Sequence, residues 1–185
     1  MRRIRAWKYF VFIAFMTLAG VRPNLPAAQN DGTSEYEIKA AFLFNFAKFV
    51  EWPDWAMDAT GNSFVIGILG KDPFNNALEQ TIGEKTVRGA PLRISRFSRV
   101  EDVGPCHILF ISGSEKNNLP AVLKSLEGRD ILTVSDMPDF ARFGGMITLY
   151  TENNKVRFMI NTRSAEKAGL RLSAKLLTLA KIFSD

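Results

Sequence analysis

The chain has 185 residues, a formal net charge of +5, one Cys and one His. One Cys excludes an internal disulfide, and one Cys with one His excludes a metal site of the Cys/His kind. The charge is local: 1–28 hold five basic residues and no acidic ones, so the remainder carries 19 of each sign and offers no general basic surface for nucleic acid.

Arg2, Arg3, Arg5 and Lys8 precede an apolar run from Tyr9 to about Val21, and a small-residue stretch closes at Leu25-Pro26-Ala27-Ala28. Basic start, short apolar middle and small-residue end describe a secretory signal peptide, here 1–28, with cleavage near Ala28. The apolar run falls short of the roughly 20 residues of a membrane span. Residues 29–185 then form a single domain, long enough to bury a core without cross-links.

Tyr36 to Pro53, YEIKAAFLFNFAKFVEWP, reads as the first helix of that domain. Ser34 and Glu37 have capping-box spacing, and Pro53 forbids continuation. Ile38, Phe42, Leu43, Phe46, Phe49 and Val50 fall on one stripe at 100° per residue and are expected to be buried. The other side carries Glu37, Lys48 and Glu51, yet also Ala40, Ala41, Phe44 and Ala47. Such a helix either packs on two sides within its own domain or serves a core with one face and a partner with the other. Ala40, Ala41, Phe44 and Lys48 are the candidate contact residues, with Phe44 as the anchor.

Trp52-Pro53-Asp54-Trp55 reads as a turn. Phe64 to Gly70 is a near-continuous apolar run of strand length, as suits a strand covered on both faces. Asp72-Pro73 opens a helix to about Ile82, stopped by Gly83. Lys85 to Phe97 is extended, with Leu92 and Ile94 alternating with Arg93 and Ser95. Its run Arg88, Arg93, Arg96 and Arg99 is bracketed by Glu84, Glu101 and Asp102 and is expected to be neutralised locally. His107 to Ile111 is a second buried-type strand, followed by a Ser114-capped helix to Glu127 and a stop at Gly128. Ile131 to Ser135 is the third. Met146–Thr151 and Lys155–Asn161 form a hairpin around Glu152-Asn153-Asn154, where Asn tolerates the left-handed backbone. A short helix over Arg163–Ala168, capped by Asn161 or Thr162, and a last helix from Ser173 to Phe183 complete the chain. The last helix has the stripe Leu176, Leu179, Ala180, Phe183.

Buried strands separated by loops and helices imply parallel β-α units with right-handed crossovers. The predicted fold is α/β: a three-layer α/β/α sandwich on a mixed, mainly parallel sheet, with a C-terminal hairpin and helix. In such sheets ligands collect at the carboxyl ends of strands. Those ends supply a candidate crevice of Lys71, Asp72, Ser112, Ser114, Ser135 and Asp136, where a helix start can face an anion. No dinucleotide or phosphate-loop motif is present, so no cofactor is expected. His107 sits at the wrong end of its strand for that crevice and reads as a satisfied core histidine. Cys106 is its neighbour, but adjacent strand residues point to opposite faces, so the two do not form a catalytic pair. Nothing in these residues argues for an enzyme.

Several stretches carry a resemblance: YEIKAAFLFNFAKFVEWP at 36–53, FVIGILGKDPF at 64–74, CHILFIS at 106–112, LTVSDMPDFARFGGMI at 132–147, NKVRFMIN at 154–161 and AGLRLSAKLLTLAK at 168–181. Together they resemble the YfiR-like family of bacterial periplasmic proteins over essentially the whole exported chain. The resemblance implies a non-enzymatic regulator in the periplasm, often a homodimer. It would hold the periplasmic sensor domain of an inner-membrane diguanylate cyclase inactive and so lower cyclic di-GMP and biofilm formation. Related domains serve sensor kinases. Some members are stabilised by disulfides and respond to envelope redox state; with Cys106 alone this chain has no internal disulfide to sense with. The alternative is a periplasmic small-ligand sensor using the strand-end crevice.

Overall fold

The computed structural model describes residues 31–184. The segment read as a signal peptide lies outside them.

Helix α1 (Asp31–Phe49) opens the domain and is followed at once by a two-residue strand, β1 (Val50–Glu51). The helix therefore starts earlier than Ser34 and stops earlier than Pro53, and Ser34 lies inside it rather than capping it. A short turn of helix, α2 (Trp55–Asp58), leads into β2 (Phe64–Leu69), all six of whose residues are buried. Helix α3 (Ala77–Ile82) is shorter than the expected one because Asp72 folds a local turn instead, its Oδ1 accepting from Phe74 N–H at 2.7 Å. The segment expected to be extended is a hairpin, β3 (Thr86–Val87) and β4 (Ala90–Phe97). Its turn residues Arg88 and Gly89 both have positive φ, 52° and 82°.

Strand β5 (Ile108–Ile111) is followed by a 3-10 turn over Gly113–Asn118, and only then by helix α4 (Leu119–Ser125). Ser112, not Ser114, caps that turn, and Pro120 marks the start of the α-helix, where its missing N–H costs nothing. After β6 (Leu132–Ser135) and a loop, β7 (Ile147–Glu152) and β8 (Lys155–Ile160) pair as the expected hairpin, with Asn153 and Asn154 at φ 51° and 57°. Helix α5 (Thr162–Lys167) is capped by Asn161 Oδ1 on Ser164 N–H at 3.1 Å. Strand β9 (Arg171–Leu172) pairs antiparallel with β1, a small second sheet that no periodicity announces. Ser173 caps α6 (Ala174–Leu179), which ends sooner than the sequence stripe suggests and gives way to β10 (Lys181–Ile182). Leu179 is consequently exposed rather than part of a buried stripe.

The main sheet has eight strands in the order β10-β8-β7-β6-β5-β2-β4-β3. Its centre, β7 through β4, is parallel; the two hairpins add antiparallel strands towards either edge. Two buried clusters flank it. One holds Leu43 and Phe46 of α1, Val50 of β1, Leu78 and Ile82 of α3, and Ile66, Ile68, Ile108 and Phe110 from one sheet face. The other holds Leu119 and Val122 of α4 against Val65, Leu69, Leu109 and Ile111 from the opposite face. Alternate residues of each central strand feed alternate clusters, which is why β2 and β5 read as continuous apolar runs. This is the three-layer α/β/α sandwich expected.

On α1 the fully buried side chains are Ala40, Leu43, Phe46 and Ala47, with Ile38 at 43% exposure. The buried stripe is rotated by roughly 90° from the one chosen for size and hydrophobicity. Ala40 and Ala47 let the helix lie close on its neighbours, so the small face goes inward and the aromatic residues Phe42, Phe44 and Phe49 flank it, half-buried.

Candidate functional site

Strand β2 sends its helix α3 to one face of the sheet, and the neighbouring β5 sends α4 to the other. The carboxyl ends of these two strands are the topological switch point, where open α/β sheets bind ligands. Here that point is closed by the chain itself. Gly70 at φ 86° brings the two loops so close that a Cβ would strike the Ser114 hydroxyl. Lys71 N–H donates to Ser114 Oγ at 3.0 Å, and Ser114 Oγ donates to Glu115 Oε1 at 3.1 Å. Asp72 accepts from Arg96 Nε at 2.8 Å, and Ser112 Oγ accepts from Ser114 N–H at 3.4 Å. One strand further along, Ser135 Oγ donates to Ile111 O at 2.7 Å and accepts from Met137 N–H at 3.2 Å. Of the six crevice residues, five have side-chain oxygens engaged within the chain; the Lys71 ammonium makes no hydrogen bond or ion pair among the described residues.

Asp136, the sixth, is held from α1. Its Oδ2 receives Lys39 Nζ at 2.6 Å and Tyr36 O–H at 2.9 Å. Lys39 is 4% exposed, lies over the Tyr36 ring at 4.4 Å, and has Glu35 Oε1 at 2.7 Å one turn back. A buried ammonium is tolerable only when paired in this way. Burial first, and Asp136 second, push the Tyr36 phenol well above its usual range.

The four candidate contact residues of α1 separate. Ala40 is fully buried in the core and presents nothing outward, because the small-residue face is the one turned inward. Ala41 and Phe44 are half-buried and Lys48 is exposed. Phe44 packs against the first cluster, with Lys48 Nζ 5.3 Å and Lys85 Nζ 4.8 Å from its ring centroid. Half of the arginine run is neutralised by contact, Arg96 with Asp72 and Glu79 and Arg99 with Asp102; Arg88 and Arg93 make no ion pair among the described residues. Two of these three acids, Asp72 and Glu79, lie outside the bracket read from sequence.

At the amino ends of β2 and β5, Trp52 turns inward. Its Nε1 donates to His107 O at 3.1 Å, and His107 stacks on Phe64 with centroids 4.3 Å apart. His107 Nδ1 accepts from Val65 N–H at 3.1 Å, which puts the ring proton on Nε2, and Nε2 has no partner among the described residues. The histidine is thus half satisfied, and burial lowers its pKa to about 4. Cys106 belongs to the opposite cluster, where burial pushes its thiol up to about 12. A neutral imidazole and a protonated thiol on opposite faces have no nucleophilic chemistry in common.

The sequence profile of a family described as YfiR/HmsC-like matches residues 36–181. The chain belongs to the YfiR/HmsC-like family. No curated protein matches it. Among solved structures, a conserved domain protein from Vibrio cholerae O1 biovar El Tor strain N16961 is similar at 10% identity and a TM-score of 0.51, over 71% of this chain and 58% of that one. The ABC domain in complex with L-Trp from Streptococcus pneumonia is similar at 11% identity and a TM-score of 0.50, over 70% of this chain and 58% of that one. These are likenesses of fold alone, and the chain spans little more than half the length of either structure.

Within this YfiR/HmsC-like domain, the residue that sequence reasoning missed is Lys39. It sits four, seven and eleven residues before Leu43, Phe46 and Val50, on the core stripe itself. A lysine at such a position, with an acid waiting at a strand end, is the signal that could have found it. No helix among the described residues is long and apolar enough to cross a membrane.

Proposed function

We propose that the protein is a non-enzymatic periplasmic regulator. It binds the periplasmic sensor domain of an inner-membrane signalling protein, a diguanylate cyclase, and represses cyclic di-GMP synthesis by contact. The observation that carries this reading is membership of the YfiR/HmsC-like family over residues 36–181, nearly the whole described domain. The basic, apolar and small-residue order of 1–28, read as an export signal, supports the compartment. The closed switch point supports contact over small-molecule chemistry at that end of the sheet: the crevice polar groups hold loops together, and only the Lys71 ammonium remains to receive a ligand.

The contact face is the outer side of α1 around Ala41, Phe44 and Lys48, serving the homodimer or the membrane partner. Phe44 is the anchor, an aromatic half open between two ammonium groups. The exported domain, immobilised and exposed to detergent-solubilised inner membranes, should recover a transmembrane protein with a periplasmic domain and a cyclase module. Co-expression with that protein should lower its cyclic di-GMP output. Phe44→Glu places a carboxylate beside Lys48 and Lys85, so the fold should survive at a cost of about 1–2 kcal/mol. Recovery and repression should drop together in this variant. A folded variant that still dimerises and represses would remove Phe44 from the interface, whereas recovery of no signalling protein by the native domain would remove the repressor reading itself.

A further inference from the structure

The end of the sheet opposite the switch point carries a site that the regulatory reading does not use. Strands β6 and β7 pair at Val134–Ile147 and Ser135–Thr148. Below that register the ladder stops. Met146 N–H is taken not by a backbone carbonyl but by Thr133 Oγ1, at 3.1 Å. The strands part there, and a pocket of about 370 Å³ opens between the end of α4, the loop before β7 and helix α5. That volume lies at the low end of small-molecule sites, which combine apolar walls with a few convergent polar groups.

The lining has that composition. Leu126, Phe143 and Met146 supply apolar wall. Phe143 is 56% exposed, a large ring at the rim with little of its own chain over it. Thr133 is 3% exposed and lies in the lining. Its hydroxyl accepts from Met146 and makes no other hydrogen bond among the described residues, so its proton is free to donate. Lys167 and Glu127 stand at the mouth, both exposed, and neither makes an ion pair among the described residues. The pocket therefore offers one cation, one anion, one buried hydroxyl donor and an apolar wall, with no net charge.

We propose that this pocket binds a free zwitterionic small molecule with an aliphatic body, of the size and kind of leucine. Its carboxylate is received by Lys167 and the Thr133 hydroxyl, its ammonium by Glu127, and its aliphatic part by Leu126, Phe143 and Met146. A singly charged analogue would make one ion pair where the zwitterion makes two. The pocket thus selects for both charges together. The proposal does not rest on the repressor reading, since it shares no residue with the α1 contact face and is measured on the isolated protein.

Calorimetric titration of the exported domain tests it, with three probes: leucine, 4-methylpentanoate, which lacks the amine, and 3-methylbutylamine, which lacks the carboxylate. Leucine should bind, and each truncated probe should bind about tenfold more weakly or worse, as expected for losing a hydrogen bond to a charged group. Lys167→Met and Glu127→Gln are surface changes and should each weaken leucine by a similar factor, with circular dichroism unchanged. Thr133→Val should weaken it less. Three results would each overturn the proposal: no leucine binding up to about 10 mM, a truncated probe binding as well as leucine, or full affinity in both charge variants.

Discussion

Single residues in this fold are constrained mostly by how closely backbone and ring approach. Gly145 is the sharpest case. A Cβ there would fall inside the contact distance of three atoms of the Phe140 ring, and Phe140 is fully buried with nowhere to retreat. Gly145→Ala should therefore cost about 1–3 kcal/mol, the usual penalty of overpacking. Urea denaturation of the variant checks this, and an unchanged midpoint would mean that the ring moves freely. His107 gives the second residue-scale expectation. Its folded pKa is near 4 against 6.5 in the unfolded chain. The unfolded state takes up the proton first as pH falls, so the stabilisation is complete above about pH 6.5 and is lost as pH drops towards 4. The ceiling is about 3 kcal/mol. Denaturation measured between about pH 7 and pH 4 should show an acid limb that is shallower in His107→Gln, which keeps an acceptor for Val65 N–H. Parallel limbs in the two proteins would show that other groups govern acid unfolding.

At the scale of elements, α1 is fastened at one end by a charge cluster and along its length by apolar contact. The Lys39–Asp136 pair joins the first helix to the end of β6, 97 residues away in sequence. Removing Lys39 leaves the Asp136 carboxylate, largely covered, with the Tyr36 hydroxyl as its remaining side-chain donor, so Lys39→Met should cost about 2–4 kcal/mol. Asp136→Asn added to it should recover part of that loss. A thermodynamic cycle with coupling indistinguishable from zero would reduce the pair to a passive surface contact. This cluster also marks where sequence reading stops. Strands β2, β5 and β6 and the Asn153-Asn154 hairpin were legible because local pattern and tertiary role agree there. The face of α1 was not, since a scale that ranks Phe above Ala cannot register that alanine permits close packing against the sheet. The two-residue strands β1 and β9 are too short to carry a period, and the partner of Lys39 lies 97 residues away, beyond any local pattern. The polar residues of the crevice were found at the right strand ends, but their mutual hydrogen bonds, which close the space between them, depend on the distance between two loops that no single segment encodes.

The whole domain rests on two apolar clusters separated by one sheet, with no cross-link between them. Cys106 lies in the cluster opposite α1, 7% exposed, its thiol pushed up to about 12 by burial. Reductant should accordingly leave the melting temperature unchanged, since no internal disulfide exists whose loss would cost the customary 2–5 kcal/mol or so. The same burial makes Cys106 a reporter of cooperativity. A thiol that is both covered and protonated reacts with an alkylating agent only when the covering layer opens. If the two clusters unfold as one unit, the urea dependence of Cys106 labelling by iodoacetamide will coincide with the loss of helical circular dichroism. Trp52 sits against Phe64 in the other cluster, with centroids 5.1 Å apart, so its fluorescence reports the opposite face. All three transitions should share one midpoint. Labelling that runs ahead of the other two would mean that the α4 layer opens by itself, and the domain would then have two cooperative units divided by its sheet.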